Sequence, residues 1–577
     1  MRSNPTFFDS DDGELFGWHF FPSDARARAT VVMCGALGSD EASECRVMYG
    51  RLAEALARRG IASLRFDYHG TGDSSGAWDA PDRVAAWQRS VAAACRIASE
   101  TGTSKVILIG TRLGAIFAAD EAARATVPVE GLVVWDPCPT GAAYLKEQML
   151  LASAYGVDRA PEGVAGLAYV FPRAMVDDLG QLDLASSLLN LRQPTLMLSR
   201  RSRKINRIIE LLEGGPSFTF HDLGNLNYSG RVTSLLTTLS DADFTTAIEW
   251  ISDHAGASLE EITPLGSRRR SGFLTVSRSG LPFSVVETAS FLGPNRLFAI
   301  DASPLHTSEE PPIVIFLNAG LLEHWGPGRL WTDLSRAWAA IGFRCIRIDL
   351  SGIGDSAPRK DRCGRNPKAP EIIDDLTDIA AALGSPDGEG LVFVGLSTGA
   401  YHAIEAGIHL HPAAIIAING TLSAHVPEER DGGRADPRRA AHRPMHRALR
   451  KLALRHKRIA GWIWRIAATV LPGLAPISVV HRIAARRTDV LLLSIEAERT
   501  AWHNSLWSKV DALRPSIRQH FDVYYLPGDD HSLYGLKTRQ QAVDAMTAFL
   551  RDKVMPRSIG RTIDSGGMLT TSSARAA

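Results

Sequence analysis

Short runs of consecutive apolar residues alternate with longer stretches of helical periodicity along nearly the whole chain. In the first half, Ala29 to Cys34, Ile61 to Phe66, Lys105 to Ile109, Gly131 to Trp135 and Thr195 to Ser199 read as short buried strands. Helical patterns fall between them, among them Tyr49 to Arg59 and Arg83 to Glu100. The second half repeats the alternation with Pro312 to Leu317, Arg344 to Ile348, Gly390 to Val394, Ala413 to Ile418, Val490 to Ser494 and Phe521 to Leu526. Each half also opens with an antiparallel-looking pair, Thr6 to Phe21 and Phe283 to Ala302. Apolar strands separated by helices predict an α/β fold, a mainly parallel sheet with helices on both faces.

The repetition extends to motifs. Arg65-Phe66-Asp67-Tyr68-His69-Gly70-Thr71-Gly72-Asp73-Ser74 returns as Arg347-Ile348-Asp349-Leu350-Ser351-Gly352-Ile353-Gly354-Asp355-Ser356. A sharp glycine turn follows each, Gly110-Thr111-Arg112-Leu113-Gly114 and Gly395-Leu396-Ser397-Thr398-Gly399, at offsets of 349 − 67 = 282 and 395 − 110 = 285. The chain therefore predicts two tandem copies of one unit. The expected division is a domain over 1–255, a linker over 256–282, a second domain over 283–551 and a disordered Ser/Thr/Gly-rich tail over 552–577. Each copy has a helical insertion, Gly141 to Asn190 and about 421–487, placed where it would overhang the C-terminal strand ends as a lid.

A chain of 577 residues is too long for one core and suits two domains. Its net charge of +1 argues against nucleic-acid binding. The cysteines (Cys34, Cys45, Cys95, Cys138, Cys345, Cys363) show no metal or disulfide spacing, so buried reduced thiols are expected. Met1 to Glu14 lacks an apolar core of the signal-peptide kind, and Ile459 to Val480 is broken by Arg465, Pro472 and Pro476. These features predict a cytoplasmic protein. No metal and no organic cofactor is implied.

Only the second glycine turn carries a serine. Ser397 follows an apolar strand and precedes a helix-forming stretch, the placement an exposed nucleophile needs. His531, just beyond the last strand, is the expected base. The acid should follow the strand Val490 to Ser494, with Glu498 first and Glu496 next. The backbone N–H of Thr398 would be one oxyanion donor, and Gly320 or Leu321 would supply the other. His324 reads equally as facing the pocket or lying on the surface. Asp67 and Asp349 each follow a strand and suit a turn bonded by its own side chains.

Together these motifs resemble the α/β-hydrolase superfamily, and within it the serine aminopeptidase-like branch, over nearly the whole chain and twice. The first half, with Gly-Thr-Arg-Leu-Gly and Trp135-Asp136-Pro137, also resembles hydrolase-like proteins associated with the exosortase A system. The resemblance implies a triad at Ser397, His531 and Glu498. Projected onto the first half, those positions become Arg112, Asn227 and Arg203 in the same order, which implies a non-catalytic domain. The expected activity is a serine hydrolase acting on an ester, thioester or amide of a small-molecule acyl substrate, with esterase or thioesterase first. The alternatives are an acyltransferase, an aminopeptidase-like peptidase, or a binding scaffold. Arginines and lysines crowd Arg430 to Arg465 with Trp462 among them. That pattern suits a solvated lid, recognition of an anionic or carrier-bound substrate, or transient contact with a membrane surface.

Overall fold

The structure is a computed structural model. It describes all residues except 101–102, 159, 161, 190, 214–216, 225–240, 268–270, 279–280, 306–310, 360–371, 421–476, 499–514 and 556–577. The chain divides into two compact units. Unit one comprises Met1–Pro367 with Asp530–Val543, and unit two comprises Lys368–Asp529 with Asp544–Ala577.

In unit one, eight strands form the first sheet: β1 (Arg2–Ser10), β2 (Gly13–Phe21), β3 (Thr30–Cys34), β4 (Ala62–Phe66), β5 (Val106–Thr111), β6 (Val129–Trp135), β7 (Thr195–Ser199) and β8 (Phe218–Asp222). Their order is β1-β2-β4-β3-β5-β6-β7-β8. The hairpin β1–β2 joins antiparallel, while β4, β3, β5, β6, β7 and β8 run parallel. Alternate residues of one strand feed two cores, as the pleat requires. Val106 and Leu108 of β5 pack into one cluster, Ile107 and Ile109 into the other. That is why the central strands read as unbroken apolar runs.

Unit one also holds β9 (Ser271–Arg278), β10 (Leu281–Leu292), β11 (Leu297–Pro304), β12 (Ile313–Phe316) and β13 (Arg344–Ile348), in the order β9-β10-β11-β13-β12. Unit two holds β14 (Leu391–Leu396), β15 (Ala414–Ile418), β16 (Asp489–Ile495) and β17 (Phe521–Leu526), parallel and adjacent in that order. Strands β10, β11, β12 and β13 copy β1, β2, β3 and β4 in order and direction, and β14 to β17 copy β5 to β8. The duplication read from the motifs is a duplication of fold.

Two strands differ from expectation. The edge strand β8 alternates partly buried with exposed positions and lacks an apolar run. Strand β9 lies inside the stretch 256–282 expected as a linker, where it pairs antiparallel with β10. An edge strand has a partner on one side only, so it needs no continuous apolar pattern. The first insertion is helical as anticipated, over Gly141–Ala154, Arg173–Gly180 and Leu184–Leu189. At the C-terminus Leu550–Val554 is helical, three residues into the expected tail. The basic lid over 421–476 and the tail beyond 555 lie outside the described residues.

Candidate active site

The motif shared by the two repeats folds into one and the same turn. In the first, Asp73 N donates to Asp67 Oδ2 at 3.0 Å and Ser74 Oγ to Asp67 O at 2.6 Å. In the second, Asp355 N donates to Asp349 Oδ2 at 3.0 Å and Ser356 Oγ to Asp349 O at 2.6 Å. A Cβ on Gly354 would lie 2.2 Å from Asp349 Oδ2, which is why glycine stands there. Asp67 and Asp349 are thus turn-forming groups.

The glycine turns share a backbone as well. Arg112 has φ 55° and Ser397 φ 56°. Each ends its strand and bonds the next one, Arg112 N to Trp135 O at 3.2 Å and Ser397 N to Ile418 O at 2.8 Å. A positive φ is costly for a residue with a Cβ, and such strain gathers at functional turns. Gly395 allows the crossing, since a Cβ there would lie 2.1 Å from the Gly399 carbonyl. Ser397 is partly buried and caps the helix Thr398–His409. The first N–H groups of that helix point toward the serine end of the turn without intrahelical acceptors.

The remaining expected residues fall on loops. Glu496–Glu498 forms one 3₁₀ turn directly after β16, and Ala497 N reaches Gly528 O at 3.2 Å. Glu496 is exposed. Partly buried His531 sits in the turn after β17, where Asp530 Oδ1 accepts from Ser532 N at 3.1 Å. After β12, Leu322 N bonds Ala319 O at 3.1 Å and places Gly320 and Leu321 at the tip of a turn. Gly320 has φ 64°, and Leu321 is 48% exposed.

His324 is neither a pocket nor a surface histidine. It is fully buried, with Nδ1 2.8 Å from Asp349 Oδ2 and Nε2 2.6 Å from Asp73 Oδ2. A neutral imidazole has one N–H, so donating to two carboxylates requires the imidazolium. Burial alone would lower its pKa, but the charges of Asp73 and Asp349 and the bonds to both lift it to about 10. His324, Asp349 and Asp355 lie close enough together to hold a cation. Arginines already take both Asp355 oxygens and carboxylates take both His324 nitrogens, so the donor set does not fit a metal.

The first-repeat elbow is filled differently. The guanidinium of buried Arg112 meets Glu41 at 3.4 Å, Asp136 at 3.6 Å and also Glu147. Asp136 is held in turn by Arg200 at 2.6 Å. Burial pushes Glu41 up to about 7, against the pull of Arg112. Arg203, projected from the acid, is exposed at the start of a helix, and Asn227 lies outside the described residues. A cleft of about 620 Å³, counted with open solvent, is lined by Gly35, Leu37, Arg46, Tyr68, Trp78 and Trp325 among others. None of the expected catalytic residues is on its wall, so it does not locate the chemistry.

Comparison with known proteins gives two family matches. The alpha/beta hydrolase family model matches residues 314–572, and the serine aminopeptidase, S33, model matches residues 26–175. No curated protein matches. Similar solved structures include the esterase domain of a Rhodothermus marinus protein, at 16% identity and TM-score 0.32, covering 44% of this chain and 100% of that one. An esterase from Pyrococcus furiosus covers 44% of this chain and 92% of its own, at 14% identity and TM-score 0.32. Est1E from Butyrivibrio proteoclasticus with ferulic acid bound covers 43% and 99%, at 15% identity and TM-score 0.33. Scores of this size carry no weight on activity. Two hydrolase family matches in tandem, on two copies of one strand order, show that the chain is built of two tandem α/β-hydrolase domains.

Proposed function

We propose that the second repeat is a serine hydrolase acting on an ester or thioester, with Ser397 as nucleophile, His531 as base and Glu498 as the acid that orients it. The observation that carries this reading is the elbow itself, a serine at φ 56° between a strand and a helix N-terminus. Ser397 Oγ would attack the substrate carbonyl while His531 Nε2 takes its proton. The oxyanion would be met by the N–H of Thr398 and that of Gly320 or Leu321. Return of the proton to the leaving group gives an acyl-enzyme, which water then cleaves. The first repeat, whose elbow carries Arg112 bound by carboxylates, is read as non-catalytic. A guanidinium is neither a nucleophile nor a base at neutral pH.

The test is covalent labelling by a fluorophosphonate together with turnover of a p-nitrophenyl ester. Ser397→Ala should abolish labelling and lower kcat by about 10³-fold or more without unfolding the chain. Labelling that survives in Ser397→Ala would sink the reading.

A further inference from the structure

Within unit one, the first repeat meets the N-terminal part of the second through a near-symmetric ionic seam. Arg46 reaches Asp67 of its own repeat at 2.6 Å and Asp355 of the other at 2.7 Å. His324 does the same in mirror fashion, reaching Asp349 of its own repeat and Asp73 of the other. Arg65 bonds Asp355 at 2.6 Å, and its counterpart Arg347 bonds Asp73 at 2.9 Å. The equivalent rings Phe16 and Phe298 meet at 6.2 Å between centroids, as on a two-fold axis. Charge balances across the seam. Asp67, Asp73, Asp349, Asp355 and Glu287 face Arg46, Arg65, His324, Arg347 and Arg336.

The symmetry breaks where it matters for chemistry. On the second-repeat side, the seam fastens the loop that carries Gly320 and Leu321. Asn318 Nδ2 donates to Asp349 Oδ1 at 2.9 Å and to Leu322 O at 3.0 Å, and its Oδ1 accepts from Leu350 N at 2.8 Å. His324 N donates to Asp349 Oδ1 at 2.7 Å. The loop tip is therefore strung between two pinned residues, and one of them, His324, is held from the far side by Asp73.

We propose that Asp73 is a positioning residue supplied by the first repeat, which fixes the oxyanion loop of the second through His324. This rests on the reading of Ser397 as nucleophile and of that loop as an oxyanion donor. Asp73 does not touch substrate. It holds the imidazolium, which with Asp349 sets the loop's far anchor, so the non-catalytic repeat completes the active site of the catalytic one.

The experiment uses the full chain. Asp73→Asn removes the charge that holds the imidazolium and should lower kcat for a p-nitrophenyl ester about 10- to 100-fold, with KM within about twofold, because a donor is displaced and not deleted. The rate of fluorophosphonate labelling should fall in parallel. Arg65→Met breaks the mirror contact with Asp355 and leaves His324 alone. It should cost a comparable drop in melting temperature while kcat stays within about twofold. If Asp73→Asn does not fold, Asp73→Asn with Arg347→Met removes both charges together, and the same loss of kcat is expected. Unchanged kcat in a folded Asp73 variant overturns the proposal, and so does an equal kcat loss in Arg65→Met at equal loss of stability. Ser397→Ala separates the two failures. If it no longer labels, a negative Asp73 result condemns the positioning role alone; if it still labels, the underlying reading falls and the proposal with it.

Discussion

The elbows of the two repeats have one backbone and opposite contents. Both turn at φ near 55° and both bond the neighbouring strand through the same N–H. One presents a partly buried hydroxyl; the other buries a guanidinium among three carboxylates. The strained turn has therefore survived in the first repeat without a nucleophile on it. Strain at such a turn follows from how strand, glycine and helix pack, and the side chain decides whether it is used for chemistry. Arg112 fills the place with ion pairs that contribute to the repeat's own core.

The prediction with the largest expected effect concerns the acid that the second repeat offers and the first, with Arg203 in its place, lacks. Glu498→Gln should lower kcat by about 10³- to 10⁴-fold, since an amide cannot stabilise the imidazolium at His531. Glu496→Gln should change it by less than about tenfold. Steady-state kinetics on one ester decide the matter. A larger loss in Glu496→Gln would move the acid to the first residue of the same 3₁₀ turn.

How much of this contrast is visible in the sequence depends on its range. The elbows, the Asp67 and Asp349 turns and the central strands are local patterns, and helix Arg83–Glu100 matches its periodicity end for end. Strand β8 escaped because an edge strand with half-exposed residues has no apolar run. His324 escaped for a different reason. Its environment is made by Asp349, 25 residues away, and Asp73, 251 residues away, and no spacing rule joins such partners. The repeat offset of 282 was the one available signal, because it pairs Asp73 with Asp355 and Arg65 with Arg347. A duplicated chain that packs on a pseudo-dyad brings equivalent residues together, so charged residues shared by both copies are candidates for the seam.

A change of intermediate size tests the filling of the first elbow. Arg112→Ser should yield no esterase activity in a Ser397→Ala background, because the sequence has Asn227 in the base's place and Arg203 in the acid's, and neither takes up a proton. It should also destabilise the protein by about 3–5 kcal/mol, the cost of leaving buried carboxylates without their cation. Thermal melting and denaturant titration read the second effect. Activity regained in that double variant would mean that the first repeat is a dormant enzyme and not a pseudo-hydrolase.

The smallest effect distinguishes how that cluster holds its charge. Arg112 faces Glu41, Glu147 and Asp136, and burial raises Glu41 to about 7 from its ordinary 4.5. A carboxyl raised in the folded state binds its proton more tightly there than in the unfolded chain. Its contribution to stability is then complete below about 4.5 and is lost as pH rises through about 7. Glu41→Gln carries a neutral group at every pH, so the variant should gain on the parent between pH 5 and 7 and run parallel to it above. Melts of the two proteins across that range measure the difference directly, with the titrations of Glu323 and His324 common to both. If the two instead run parallel from pH 5 to 7, Glu41 is ionised in the fold and paired to Arg112. The first elbow would then hold its guanidinium by three charges, and the Arg112→Ser penalty should fall at the upper end of its range.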